Sequence, residues 1–378
     1  MTRTHVITGA TGLVGAALLL EIAHRDDTAR LLCPLRETGL QGVERLHRMI
    51  RTSAAAYVIR PESVEGILRR TEALPGFDFS RDLPPVPGPA PHGPVHFWHS
   101  AARMVFREDQ RRAQFAANTA GGRRALDLAR ALDADAFTMI STAYVAGTTE
   151  GVVREEPITM ANSRNPYERS KISAERLLLN TAQDLDVRVL RPSIITGHST
   201  SLHYPGTPTG AFATQGVIAA FHRALPAQRR TEQRQVVALP DEPINLVPID
   251  HVVREAVDIA LHSNSTGIHH LTNPAPPTVR TLLDACFANA AGAPPRYVDS
   301  PAALDRYDRM LHDMLTLLRP YLITRQHFER SRTDRAVRAP ARSAWTPSPA
   351  TLRAMLAPFA DRPVPRTQAA TRAERVAI

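Results

Sequence analysis

Lysine is almost missing from this chain: of its 46 basic residues all but one are arginine, and the exception is Lys171. A composition that replaces lysine wherever arginine will serve leaves a survivor where a guanidinium cannot substitute. An ammonium is compact, and its pKa responds to its surroundings. Cysteine is scarce too. Two residues, Cys33 and Cys286, in 378 exclude a disulfide framework and a cysteine-rich metal cluster, and the expected compartment is the cytoplasm. Long apolar runs are absent, and none approaches the ~18–20 residues needed to cross a bilayer. The longest early one, residues 13–20, follows a glycine-rich stretch and ends at Glu21, so it reads as a buried helix and not as a signal peptide. Aromatics are only 5% and are not interleaved with a basic stripe, despite a formal charge of +9. Arginines are instead mixed with acids, as in Arg107-Glu-Asp-Gln-Arg-Arg112 and Arg154-Glu-Glu156. Nucleic acid is therefore not the expected partner. The densest basic excess lies towards the C-terminus and reads as solvated surface, with docking of an acidic partner as the alternative.

What remains is a foldable chain, 43% hydrophobic and 22% charged. Its length suits two modest domains or one α/β domain with an added lobe. Strand signals at 4–8, 30–35, 95–98, 136–140 and 187–190 alternate with helical stretches at 13–23, 109–132 and 167–184. That rhythm predicts an α/β fold, a doubly wound parallel sheet covered on both faces. Residues 40–72 read as irregular helix and 83–94 as a proline-rich connection. Beyond about residue 195 the rhythm changes. The expected division is a first domain over 1–195, with segments around 236–271 returning to its sheet, a smaller α/β lobe over 196–360, and a mobile tail over 361–378. Helices are expected near 211–224, 250–262, 278–291 and 300–330.

Three motifs carry chemistry. Gly9-x-x-Gly12-x-x-Gly15 follows the first strand and opens a helix, where a dinucleotide loop belongs. Its glycines permit a tight turn and close approach to a pyrophosphate, and the helix N-terminus offers amides to it. The second strand ends in Arg36, with no acid before Glu37. An arginine there accommodates the extra phosphate of NADPH, so NADPH is expected over NADH. Finally, Tyr167 and Lys171 share one helix face at i, i+4. A neighbouring ammonium lowers the pKa of a phenol and makes it a usable acid or base. Thr142 or Ser141, at a strand end, supplies a hydroxyl to steady a substrate oxygen. No metal site is expected. His96 and His99, near His92, fall on opposite faces of a strand, as do His269 and His270.

The run Thr8-Gly-Ala-Thr-Gly-Leu-Val-Gly15 with Thr142, Tyr167 and Lys171 resembles an extended short-chain dehydrogenase/reductase over roughly residues 4–290. The resemblance implies a Rossmann domain with a C-terminal substrate lobe. It implies a catalytic set of Thr142, Tyr167, Lys171 and Asn118, the last supporting a proton-relay water. Gly9, Thr11, Gly12, Leu13, Val14, Gly15, Arg36, Ser100, Ala101, Tyr167 and Lys171 would bind the cofactor, with Pro192, Ser193 and Ile194 against the nicotinamide. His99-Ser-Ala-Ala102, Ser141-Thr-Ala-Tyr-Val145 and Arg191-Pro-Ser-Ile-Ile-Thr-Gly197, with Leu35-Arg36 and Val247-Pro-Ile-Asp250, are similar to the thioester-reductase and fatty-acyl-reductase (male-sterility-type) branch.

That branch implies NADPH-dependent reduction of a carbonyl, foremost an acyl thioester on coenzyme A or a carrier protein, to aldehyde or alcohol. A ketoreductase, or a secondary-alcohol dehydrogenase acting on a natural-product-like ketone, and a sugar-nucleotide epimerase are the alternatives, since one scaffold hosts many reactions. The chain is expected to meet its substrate in trans, and a homodimer through the two long sheet-covering helices is left open.

Overall fold

The computed structural model describes residues 2–86, 91–338 and 344–362. Seven parallel strands form the central sheet: β1 (Thr4–Thr8), β2 (Arg30–Leu35), β3 (Thr71–Pro75), β4 (Val95–His99), β5 (Ala136–Ile140), β6 (Asp186–Pro192) and β7 (Gly267–Leu271). Their spatial order is β7-β6-β5-β4-β1-β2-β3. The order reverses beside β1, between β2 and β4, and a doubly wound sheet binds its ligand at that crevice. Every residue of β1 and β4 is buried, as expected for a parallel sheet with both faces covered. On one face Ile7, Leu31 and Cys33 pack against the helices Leu13–Arg25 and Ile249–His262. On the other, Val6, Phe97 and Phe137 pack against the helices Gly121–Ala131 and Pro166–Thr181.

A third apolar core, including Phe212, Phe221, Leu282, Cys286, Leu311 and Leu352, joins the helices Gly210–Ala224, Val279–Asn289, Arg306–Met314 and Pro349–Leu356. Both thiols, Cys33 and Cys286, are free and fully buried, and burial pushes both pKa values up.

Several elements differ from the expectations. Residues 40–72 are not one helical stretch but the helices Leu40–Ala56 and Pro61–Arg69 followed by β3. Only Leu74 of β3 is buried, so this edge strand lacks the apolar pattern that marks a strand, and its Pro75 is tolerated at an edge. The stretch 300–330 is only partly helical: Arg306–Met314 and Arg319–Leu322 precede a strand, Gln326–Phe328, that pairs with Gly151–Val153. Of the segments around 236–271, Gly267–Leu271 joins the sheet, whereas Gln235–Val237 pairs with Arg296–Val298 outside it. The long helix at 109–132 contains a π-helical turn, Ala116–Ala120. The connection at 83–94 and the tail at 361–378 lie partly outside the described residues. Among the described residues, no helix is long and apolar enough to cross a membrane.

Candidate active site

The glycine loop leaves β1 at the crevice. Gly9 sits at φ +70, and a Cβ on it would lie 2.7 Å from the Ala101 nitrogen. A Cβ on Gly15 would stand 2.2 Å from the Gly9 carbonyl oxygen. Helix 13–25 has neither a side-chain cap nor an acidic residue in its first turn. Its first amides therefore remain available to an anion. Ser100 fastens the β4 loop beneath by donating to the Thr8 carbonyl at 2.9 Å, and the Ala101 N–H donates to Thr8 Oγ1 at 3.2 Å. This cradle fits a dinucleotide pyrophosphate. Gly15→Ala is expected to weaken dinucleotide binding by at least about tenfold, because the methyl group would displace backbone. Fluorescence titration with NADPH and with NADH checks this.

At the end of β2 the Arg36 side chain is exposed, 3.6 Å from Glu37. Glu37 is in turn bonded by Arg45, so its carboxylate is committed to two arginines.

The end of β5 carries two hydroxyls in different situations. Ser141 donates to the buried Glu175 carboxylate, which also holds Arg191 through bonds of 2.6 and 3.1 Å. Thr142 accepts the Tyr144 N–H at 3.2 Å, which leaves its own O–H free to donate into the cleft. Glu175, a neighbour that the sequence reading missed, thus engages Ser141 and not Thr142. Its signal was present: Tyr167, Lys171 and Glu175 recur every four residues along one helix.

Helix 166–181 starts with Asn165 accepting the Glu168 N–H at 3.0 Å and with Pro166 in its first turn, a strong start signal. Lys171 is buried and donates from Nζ to the Ile140 carbonyl at 2.8 Å. Burial lowers its pKa to about 8, against the pull of Glu175. The Tyr167 ring meets Phe106 edge to face at 5.7 Å. Its phenol is not lowered, as the lysine argument expected, but raised, by burial first and by the Glu168 and Glu175 carboxylates next.

These groups converge on one cleft of about 490 Å³, lined by Gly9, Gly12, Leu13, Val14, Gly15, Ser100, Thr142, Tyr167, Lys171, Pro192, Ser193 and Ile194. Thr11, Arg36, Ala101 and Asn118 are not among the residues lining it. Asn118 lies in the π-helical turn, where its Nδ2 donates to the Arg103 carbonyl and Ser170 Oγ and its Oδ1 accepts from the Arg103 N–H. Its side chain ties the segment after β4 to the Tyr-Lys helix. Among the described residues no three His, Cys, Asp or Glu side chains gather as a metal site. His96 pairs with Thr138 and His99 with Thr8, while His92 is exposed.

The opposite wall comes from the third core. Tyr321 follows Arg306–Met314 and lines the cleft. Its hydroxyl donates to Glu168 at 3.3 Å. Arg164 pairs with Glu168 at 2.9 Å and lies over the Tyr321 ring at 4.3 Å. Tyr144 meets Tyr321 edge to face at 4.7 Å. Tyr321 carries no signal in sequence, because only the fold brings it beside a helix 153 residues earlier.

Residues 95–256 match the family model described as Male sterility protein. The non-canonical nonribosomal peptide synthetase FrzA of Cladobotryum sp. is 26% identical over 340 residues, 84% of this chain and 31% of that protein. The chain thus spans about a third of that curated relative. Among solved structures, the terminal R domain from the myxalamid PKS-NRPS biosynthetic pathway superposes with a TM-score of 0.71 and 21% identity, over 95% of this chain and 90% of that one. A thiolation-reductase di-domain from an archaeal non-ribosomal peptide synthetase gives 0.65 and 17%, over 95% and 75%. The male-sterility match is confined to residues 95–256, and the superpositions show that the chain shares its fold with these reductase domains.

Proposed function

We propose that the protein is an NADPH-dependent reductase of acyl thioesters, carried on coenzyme A or on a carrier protein, with Tyr167 as proton donor. The observation that carries this reading is the meeting of Thr142, Tyr167 and Lys171 with the glycine loop in one cleft whose opposite wall is apolar. Among the described residues lining the cleft, Lys171 is the sole charged side chain. A sugar nucleotide would bring a diphosphate with no second cation to meet it, which argues against epimerisation. The names of the similar proteins, a nonribosomal peptide synthetase and reductase domains of such assemblies, favour a thioester.

When bound on the glycine loop, the reduced dinucleotide supplies a hydride to the carbonyl carbon. Thr142 donates its free O–H to the carbonyl oxygen and orients it. Tyr167 gives that oxygen a proton as negative charge develops, and donors aimed at such charge supply the largest stabilisation. A phenol raised above its ordinary pKa stays protonated at neutral pH, which suits the reducing direction. Lys171, fixed through Ile140, keeps two N–H groups for the cofactor ribose and the phenol oxygen. The resulting hemithioacetal loses its C–S bond, releasing thiol and aldehyde. Asn118 positions the helix that carries Tyr167 and Lys171.

Arg36 is exposed and only loosely paired with Glu37, at 3.6 Å, whereas Arg45 bonds that carboxylate directly, so Arg36 can turn to a 2′-phosphate. Arg36→Ala is expected to weaken NADPH at least about tenfold and leave NADH near its wild-type affinity, since only the phosphate contact is lost. Parallel fluorescence titrations check it. The functional reading itself is tested by NADPH consumption with acyl-coenzyme A thioesters beside a matched ketone panel. Thioester turnover supports it, and turnover with ketones alone replaces it by a ketoreductase.

A further inference from the structure

The half of the cleft beyond Tyr167 is a dry wall. Phe106, Tyr204, Val217, Met314, Leu315 and Leu318 line it, from the segment after β4, the helix Gly210–Ala224 and the helix Arg306–Met314 with its exit. No carboxylate among the described residues lines the cleft, and its one cation is Lys171. Four of the side-chain hydroxyls lining the cleft are also spent on the protein itself. Tyr321 donates its hydroxyl to Glu168, Tyr204 to the Thr207 carbonyl at 3.2 Å, and Thr214 to the Gly210 carbonyl at 3.0 Å. Ser193 Oγ donates to Asn245 Oδ1 at 2.6 Å. What these side chains present to the cavity is ring face and hydrocarbon.

Resting on the thioester reading above, we infer that the thioester carbonyl reduced carries an apolar, uncharged alkyl chain or aryl ring, and that Met314 and Leu317 are specificity-determining residues. A free amine or a distal carboxylate entering this space would lose its water and find no partner, which costs several kcal/mol for a buried charge. An alkyl chain gains from each methylene buried there. Met314 and Leu317 are half-buried and line the cleft, so either accepts a longer polar side chain without opening the core.

The test compares octanoyl-pantetheine with its ω-carboxylate and ω-amine analogues, and octanal with 8-oxooctanoate, by kcat/KM for NADPH oxidation. The uncharged member of each set is expected to lead by at least about 100-fold, the order set by burying an unpaired charge. Met314→Lys is expected to shrink the lead over the ω-carboxylate by at least about tenfold, since it supplies the missing cation; Leu317→Lys serves if the first variant does not fold. Charged analogues within a few-fold of the uncharged one overturn the inference while leaving the thioester reading in place. Selective reduction of octanal without reduction of any thioester keeps the apolar site and removes the thioester reading. Reduction of neither set overturns both, and an unchanged ratio in both lysine variants removes Met314 and Leu317 from the wall.

Discussion

Tyr167→Phe is expected to lower kcat by about 10²–10⁴-fold, the range for loss of a positioned general acid, with the Kd for NADPH near its wild-type value. The ring still packs on Phe106, and only the proton donor is gone. Single-turnover NADPH oxidation with the thioester separates this loss from any change in product release. The pH profile carries a second signature. Burial lowers Lys171 to about 8, so its ammonium is present below that pH and is lost as pH rises through it. The Tyr167 phenol, raised by burial, remains protonated across the same range. Reduction is therefore expected to hold through neutrality and to fall above pH about 8. Lys171→Arg is expected to reduce slowly, and its residual activity to lack that fall, because a guanidinium does not titrate there. A profile whose alkaline limb is the same in both proteins removes Lys171 as its source.

Acid is expected to unfold this protein early. His5 and His99 on the central strands and His270 on β7 are held neutral by burial with pKa values lowered to about 3, and His269 to about 4. His96 is also driven well below its usual value, by burial first. For His5 the geometry explains the resistance: its Nδ1 accepts the Trp98 indole N–H at 3.0 Å, and a second proton would have to take that place. Each group titrates near 6.5 once unfolded. The folded chain therefore binds fewer protons, and stability is lost as pH falls below about 6.5 and continues to fall towards the folded values. The loss is about 1.4 kcal/mol per pH unit for each histidine. By two units below 6.5 His5, His99, His269 and His270 together cost about 10 kcal/mol, comparable with the whole stability of a typical domain. Unfolding at pH 5.5 is expected to take up about four protons per molecule from these rings. The slope from urea unfolding at several pH values gives the net uptake, which is these protons less about one released by Glu255, whose carboxyl burial raises to about 7; a net uptake below about two contradicts the account.

Much of this molecule was legible because its signals are local. Gly9, Gly12 and Gly15 sit where a strand meets a helix, and Tyr167 and Lys171 lie one helical turn apart, so both motifs survive without knowledge of the fold. The strands β1, β2, β4, β5 and β6 are short runs rich in Val, Ile, Leu and aromatics, buried along nearly their whole length as in a doubly covered parallel sheet. β3 was illegible for the opposite reason: an edge strand buries one residue and alternates nothing. Tyr321 and Arg164 were missed because their meeting spans the lobe and the sheet domain, and no periodicity encodes a contact of that kind. The direction of the Tyr167 shift was misread because the lysine argument counted a neighbour and left out burial and the carboxylates of Glu168 and Glu175. Asn118 was found, but its side chain binds Arg103 and Ser170 rather than opening on the cleft.

The most direct test follows the hydride itself. Wild-type protein is mixed with octanoyl-pantetheine and NADPH deuterated at C4 of the nicotinamide, in each of the two stereoisomers, and the product is read by mass spectrometry. The predicted result is deuterium at C1 of the aldehyde or alcohol from one stereoisomer only, with release of one free thiol per product and with product lost in Tyr167→Phe. NADPH consumed without label in the acyl product, or thiol released without reduction, would contradict a thioester reductase built on this cleft.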